Sequence, residues 1–349
     1  MTMEATARPV VANGSPIIEV RGLVKRYGDL IAVNGIDLTV DQGEIFGILG
    51  PNGAGKTTTL EMIEGLRVPD AGTIRVAGID AVAEPTRLRK SIGAQLQTTA
   101  LFDYLSAAEL IKLFCGLYGV DDSSARIDEL LEMVNLKEKR GAKVNELSGG
   151  QRQRLAITLS LVNRPVVVFL DEPTTGLDPA ARRSLWDTIR AVRDAGTTVV
   201  LTTHYMEEAE VLCDRIALFD QGRLIACDTT QNLIRGLNMA ATIKATLLSG
   251  TLDEASLRAL PSATGASIKV VNGSQPELSI ETVDVQQSLV GLLGLAGSEH
   301  VELGDLRSTQ ASLEDVFLNL TGRTYEQHDD KPAETEEKEK KGRRGRRAA

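Results

Sequence analysis

No uninterrupted apolar run in this chain reaches the ~18 residues that a membrane-crossing helix needs, so no segment of the sequence reads as a membrane span. Cysteine is scarce. Cys115, Cys213 and Cys227 lie far apart between apolar neighbours, in no metal-ligand spacing. An odd, sparse set excludes a disulfide scaffold and suits buried thiols in a reducing compartment. Positive charge is also short. Lys plus Arg number 39 against 48 Asp plus Glu, a formal net charge of −9, so nucleic acid is not an expected partner. Of the three histidines, His300 and His328 stand in no chemical setting. Met1 to Ser15 lacks the apolar core of a signal peptide and reads as a flexible leader. What remains is ordinary globular composition: 349 residues, 42% apolar and 25% charged, enough for two domains of ~100–200 residues each.

The chemistry begins at Gly50-Pro51-Asn52-Gly53-Ala54-Gly55-Lys56-Thr57-Thr58, which fits the phosphate-loop pattern G-x-x-x-x-G-K-[ST]. Its context is the required one. Ile45 to Leu49 reads as a buried strand before it, and Thr57 to Leu66 as a helix behind it. Glycines let the backbone turn its N–H groups inward, and the helix N-terminus favours an anion there. Lys56 offers a fixed charge to the β- and γ-phosphates, and the Thr57 hydroxyl is a Mg²⁺ ligand. A second motif closes Val166-Val167-Val168-Phe169-Leu170-Asp171-Glu172, whose continuous apolar run suits a central parallel strand. Asp171 is placed to hold Mg²⁺ and its waters, and Glu172 to accept a proton from an attacking water. Alone, that pair reads equally as two carboxylates capping a strand. Between the motifs lies Leu147-Ser148-Gly149-Gly150-Gln151, a hydroxyl, exposed N–H groups and a helix start, which is a second anion site or, taken alone, a common helix cap.

That order of motifs resembles the ATP-binding cassette (ABC) proteins over Ile17 to Asp228, with no motif missing. The resemblance implies an α/β P-loop NTPase fold and binding of ATP with Mg²⁺. It assigns ATP contacts to Gly50, Asn52, Gly53, Ala54, Gly55, Lys56, Thr57 and Thr58, and in a second copy to Ser148, Gly149, Gly150 and Gln151. Two chains then pack head to tail, the signature of one meeting the γ-phosphate of the other. Tyr27 matches the aromatic that stacks on adenine, though a structural Tyr on a strand fits as well. Gln97 matches the glutamine that reaches Mg²⁺ and the attacking water, with Gln95 as a second candidate two residues earlier. Asp178, in Gly176-Leu177-Asp178, matches the loop that crosses the dimer interface, and also makes a good helix cap before Pro179. His204 ends the run Val199 to Thr203, where the family has a histidine that contacts the γ-phosphate and holds the water or Glu172.

The pattern divides the chain into a leader at 1–15, a nucleotide-binding domain at 16–228 with a helical insertion at about 98–147, an accessory domain at 229–325 and a charged tail at 326–349. Alternating strands and helices up to Asp228 predict a largely parallel sheet. Beyond it, the order β-α-β-β-α-β over Ala241 to Leu306 predicts a small ferredoxin-like α+β unit, with a hairpin turn at Asn272-Gly273. A last helix follows at Ser312 to Leu320. The tail reads as a disordered, solvated segment or as a basic patch that touches anionic lipid.

Ser312-Leu313-Glu314-Asp315-Val316-Phe317-Leu318 resembles the end of exporter ATPases of the daunorubicin-resistance type, and a plain amphipathic helix accounts for the same residues. The family resemblance implies an ATPase on the cytoplasmic face of a membrane that powers a separate polytopic permease, exporting more readily than importing. The rivals are an importer ATPase, a soluble ABC ATPase acting on ribosomes or DNA, and a non-catalytic cassette. The sequence leaves the transported substrate open.

Overall fold

The computed structural model describes residues 16–95, 101–237, 241–270, 275–323 and 325. The leader, Gln97, the Asn272-Gly273 turn and the charged tail lie outside them.

The chain opens with an antiparallel pair, β1 (Ile18–Tyr27) and β2 (Leu30–Val40), turning at Gly28-Asp29. Strand β3 (Ile45–Leu49) and helix α1 (Lys56–Ile63) follow. Next come β4 (Ala71–Val76) and β5 (Ile79–Asp80), and these return to β1 instead of joining β3. The result is a separate antiparallel sheet of order β2-β1-β4-β5, where the sequence pattern pointed to one largely parallel sheet. The reason is the burial pattern. Only Ile74 and Val76 of β4 are buried, as in a strand with one wet face, whereas every residue of β3 is buried.

Helix α2 (Pro85–Ser91) leads to β6 (Ile92–Gln95). The expected helical segment then appears as α3 (Ala107–Tyr118) and α4 (Ser124–Met133), with short 3₁₀ turns at Lys137–Lys139 and Val144–Glu146. Helix α3 starts on a reciprocal Ser106–Glu109 capping box and stops at Gly119, whose φ of 66° few other residues adopt at low cost. The chain continues through α5 (Gly149–Ser160), β7 (Val167–Asp171), α6 (Pro179–Asp194), β8 (Thr198–Thr203), α7 (Met206–Leu212), β9 (Arg215–Asp220) and β10 (Arg223–Asp228).

The second sheet has the order β10-β9-β3-β8-β7-β6, parallel from β9 to β6, with β10 antiparallel at the edge. Its strands send alternate residues to opposite faces. Phe46, Ile48, Phe169 and Val200 pack toward the antiparallel sheet. Ile45, Val168, Leu170, Val199 and Leu201 pack with residues of α3, α4, α5 and α6. Burying each such large side chain contributes ~1.5–3 kcal/mol, which fixes the strand register. Since β3, β7 and β8 run parallel, their carboxyl ends meet along one edge, where such sheets bind ligands.

A short helix α8 (Thr230–Arg235) precedes β11 (Ala241–Ser249), α9 (Glu254–Arg258), β12 (Ala263–Lys269), β13 (Glu277–Thr282), α10 (Val285–Ser298), β14 (Glu302–Gln310) and α11 (Leu313–Thr321). The third sheet is antiparallel with order β12-β13-β11-β14, the ferredoxin-like arrangement. Ile243, Ala245 and Leu247 of β11 face Leu257, Leu292 and Ala296 of its helices in a small core of its own. Helix α11 leaves that core. Leu313, Val316 and Phe317 pack with Met206 and Ala209 of α7 and with Leu49 and Leu218 of the parallel sheet.

Candidate active site

The phosphate loop leaves β3 at Gly50 and enters α1 at Lys56. A Cβ on Gly50 would lie 2.4 Å from the Phe219 carbonyl oxygen, and one on Gly55 would lie 2.4 Å from that of Ala32. Gly55 also holds a φ of 96°. Only glycine fits these two places, because there the loop packs directly against the backbone of β9 and β2. Ala54 is buried, while Asn52, Gly53 and Thr57 are exposed and Thr58 is half-buried.

Lys56 is 5% exposed, and its Nζ donates to the carbonyls of Gly50 (2.8 Å) and Pro51 (3.2 Å). Burial pulls its pKa down, against the charges of Glu172 and Asp171. Nζ lies 3.7 Å from Glu172 Oε1, so the basic loop and the second motif meet directly. The Thr57 hydroxyl donates to Asp171 Oδ1 at 3.3 Å, and the Thr202 hydroxyl donates to the same oxygen. The Glu172 N–H donates to Thr202 Oγ1 at 2.9 Å. Thr202 therefore spaces Asp171 and Glu172 at the end of β7. Its register opposite Asp171 in β8 makes this possible.

Glu172 has a φ of 46°, the left-handed region that non-glycine residues seldom occupy. Such strain is held in place by surrounding structure and gathers at functional sites. Burial works to raise the Glu172 pKa, but His204, Lys56 and Thr175 outweigh it and hold the carboxyl below its ordinary value. His204 Nδ1 lies 3.3 Å from Glu172 Oε2, within ion-pair reach but without hydrogen-bond alignment, and both ring nitrogens of this buried histidine lack a hydrogen-bond partner among the described residues. Thr175 Oγ1 donates to Glu172 Oε2 at 3.2 Å.

Tyr27 lies at the edge of this region, 41% exposed, with Arg67 and Lys25 against its ring at 5.4 and 5.9 Å from the centroid. Gln95 ends β6 and is buried, whereas Gln97 lies outside the described residues. The signature residues stand apart. Ser148 caps α5 in a reciprocal box with Gln151, at 2.9 and 3.3 Å. Ser148 and Gly149 are exposed, and Gly150 is packed so closely that a Cβ there would lie 3.1 Å from Ala181 Cβ. Asp178 is exposed and caps α6 through Ala181 N at 2.8 Å. Among the described residues no hydrogen bond or ion pair joins Ser148, Gln151 or Asp178 to the Lys56–Asp171–Glu172–His204 cluster.

Two buried acids near this cluster carried no local signal in the sequence. Glu208 accepts from Thr174 Oγ1 and Trp186 Nε1, each at 3.1 Å, tying the loop after Glu172 to α6 and α7. Burial raises its pKa, against those bonds. Nothing in its spacing separates it from Glu207 or Glu210. Glu64 ends α1 with no hydrogen-bond partner on either oxygen among the described residues. Burial, with Asp171 and then Glu61 adding in the same sense, pushes its carboxyl up to about 8.

Backbone N–H groups at the start of α1, a buried lysine turned to carbonyls, and a hydroxyl–carboxylate pair beside it form a donor set that fits a nucleoside triphosphate with a divalent cation. Comparison with known proteins agrees. The family model for ABC transporters matches residues 33–175. The chain is 40% identical over 324 residues to the daunorubicin/doxorubicin resistance ATP-binding protein DrrA of Streptomyces peucetius, covering 92% of this chain and 97% of that one. It is 40% identical over 308 residues to the Nod factor export ATP-binding protein I of Burkholderia orbicola, covering 88% and 97%. Among solved structures, a dimeric bacterial ABC transporter cassette is 30% identical with a TM-score of 0.54, covering 61% of this chain and 98% of that one. The chain therefore belongs to the ABC transporter family, as an ATP-binding subunit that hydrolyses ATP to drive transport.

Proposed function

We propose that this subunit powers an exporter, and that it does so as a head-to-tail dimer docked on a separate polytopic permease at the cytoplasmic face of a membrane. The observation that carries the direction of transport is its 40% identity, over nearly whole chains, with ATPases described by drug resistance and by Nod factor export. No helix of the described residues is long and apolar enough to cross a membrane, which supports a separate permease. Residues 16–228 form the nucleotide-binding domain on this reading, and 229–325 an accessory domain.

In this reading Lys56 leaves its loop carbonyls for the β- and γ-phosphates, and the backbone of Gly53 to Thr58 supplies N–H donors. Tyr27 stacks on the adenine. Thr57, Asp171 and Gln97 would hold Mg²⁺, which when bound would supply positive charge beside the phosphates. Glu172 accepts the proton of the attacking water, and His204 orients it. Engagement of Lys56 by phosphate removes one of the positive charges that hold the Glu172 pKa low, which makes that carboxylate a better base. The exposed N-terminus of α5, with Ser148, Gly149, Gly150 and Gln151, is free to meet the γ-phosphate held by a second copy, with Asp178 beside it. Hydrolysis removes the group that bridges the two chains and lets them part. The motion passes to the permease through the helical segment, where Phe102, Tyr104, Leu117 and Tyr118 present apolar side chains to solvent.

The test is a pull-down from detergent-solubilised membranes with tagged Glu172→Gln protein and ATP–Mg²⁺. Recovery of a polytopic membrane protein in stoichiometric amount is the expected result. Recovery of ribosomes or DNA-associated proteins instead would overturn the transporter partner and leave the nucleotide chemistry standing.

A further inference from the structure

The nucleotide chemistry above uses nothing beyond residue 204. Yet the end of the chain reaches back to it. Helix α11 lies against α7, the helix that starts two residues after His204. The two are pinned at both ends. At one end the Leu313 N–H, in the first turn of α11, donates to Glu210 Oε1 at 2.7 Å. At the other, Tyr325, only 4% exposed, donates its hydroxyl to the backbone carbonyl of His204 at 3.0 Å. Between the pins Phe317 meets the Tyr325 ring edge-on at 5.0 Å, and Leu313, Val316 and Phe317 bury Met206 and Ala209. The segment is locally well formed. A Ser312–Asp315 capping box starts α11, and Gly322 ends it with a φ of 68°. Burial keeps the Tyr325 hydroxyl protonated well past its ordinary range, and the charge of Glu172 acts in the same sense, so it remains a donor.

We propose that α11 together with Tyr325 forms a strap that sets the position of His204, with Tyr325 as its positioning residue, and that it connects the C-terminal sheet to ATP turnover. The connection is short. Strand β14 ends at Gln310 and α11 begins at Leu313, so a displacement of that sheet pulls directly on the strap. The backbone of His204 cannot shift without breaking the Tyr325 bond or dragging the strap with it. Tyr325 touches no phosphate in this scheme. It acts through the histidine, so its loss slows the chemical step and leaves nucleotide affinity alone. The proposal rests on the reading of His204 as a group that orients the attacking water.

The experiment compares the full chain with its Tyr325→Phe, His204→Ala and doubly substituted variants. Tyr325→Phe keeps the ring and its packing and removes only the hydroxyl. Its turnover is expected to fall about three- to tenfold, the size of one lost hydrogen bond, with KM for ATP and the affinity for a fluorescent ATP analogue within about twofold. On the His204→Ala background the same change is expected to do nothing further. In histidine NMR spectra the His204 ring signals, identified by their loss in His204→Ala, are expected to move in Tyr325→Phe while those of His300 and His328 stay. Wild-type turnover in Tyr325→Phe, an equal loss of affinity and turnover, or losses that multiply in the double variant would each overturn the strap. Full turnover in His204→Ala would instead overturn the catalytic reading of the histidine, a separately visible failure.

Discussion

The two anion sites of this chain are built in opposite ways. At the carboxyl ends of β3, β7 and β8, Lys56, Asp171 and His204 are buried and Glu172 is half-buried; Glu172 faces Lys56 and His204, and Thr202 bonds both acids. At the start of α5, Ser148 and Gly149 are exposed, and Ser148 pairs with Gln151 in a local capping box. The second presents the N–H donors and the dipole of a helix start at an exposed surface. On the proposed reading, the contrast assigns binding and chemistry to the strand ends and leaves the exposed helix start to meet a second copy.

The sharpest way to break that contrast is Glu172→Gln. It removes the proton acceptor and leaves the cradle, so turnover is expected to fall ~10²–10⁴-fold with ATP binding retained. ATPase within a few-fold of wild type would show that the strand-end cluster is not the seat of catalysis. Next in size is Ser148→Arg, which fills the exposed helix start. Affinity of the monomer for ATP is expected to stay within about threefold, while ATP no longer drives a dimer on a sizing column. A normal ATP-driven dimer would show that the exposed site does not work between chains.

The smallest effect concerns the buried edge of the first site. The Glu64 carboxyl stands at about 8 in the fold against 4.5 when unfolded. The folded state therefore holds a proton that the unfolded chain releases, and stability falls as pH rises from about 4.5 to about 8. Glu64→Gln removes that slope. Its melting temperature is expected to lie near that of wild type at pH 5 and to exceed it increasingly as pH rises toward about 8, read by a thermal melt at each pH. A constant difference at both pH values would mean that Glu64 is ionised in the fold.

Much of the site was legible in the sequence because its parts are local. A glycine-rich turn between an apolar strand and a helix needs no distant residue to declare itself, and neither does Ser148 before two glycines. The ferredoxin-like order of the C-terminal sheet was readable for a similar reason, since alternation in Ala241–Ser249 and the break between β12 and β13 are short-range patterns. The return of β4 to β1 was not readable. Its alternation allows an antiparallel partner but does not name one. Glu208, Glu64 and Tyr325 were silent as well, because neither an acid on or at the end of an amphipathic helix nor a tyrosine in the coil beyond one shows whether it faces water or a buried group.

By itself, then, the sequence determined the local chemistry of this protein: the cradle at Gly50–Thr58, the Asp171-Glu172 pair, the helix start at Ser148, and which segments are strands and helices. These follow from backbone sterics, capping and apolar periodicity, all of which act within a few residues. Only the tertiary structure decided that Thr202 bonds both Asp171 and Glu172, that Glu172 sits in a strained backbone conformation, and that Tyr325 closes on His204 across 121 positions of chain. Those contacts exist because parallel strands bring their carboxyl ends to one edge and a buried apolar seam brings α11 onto α7, and no pattern within either partner alone carries that information.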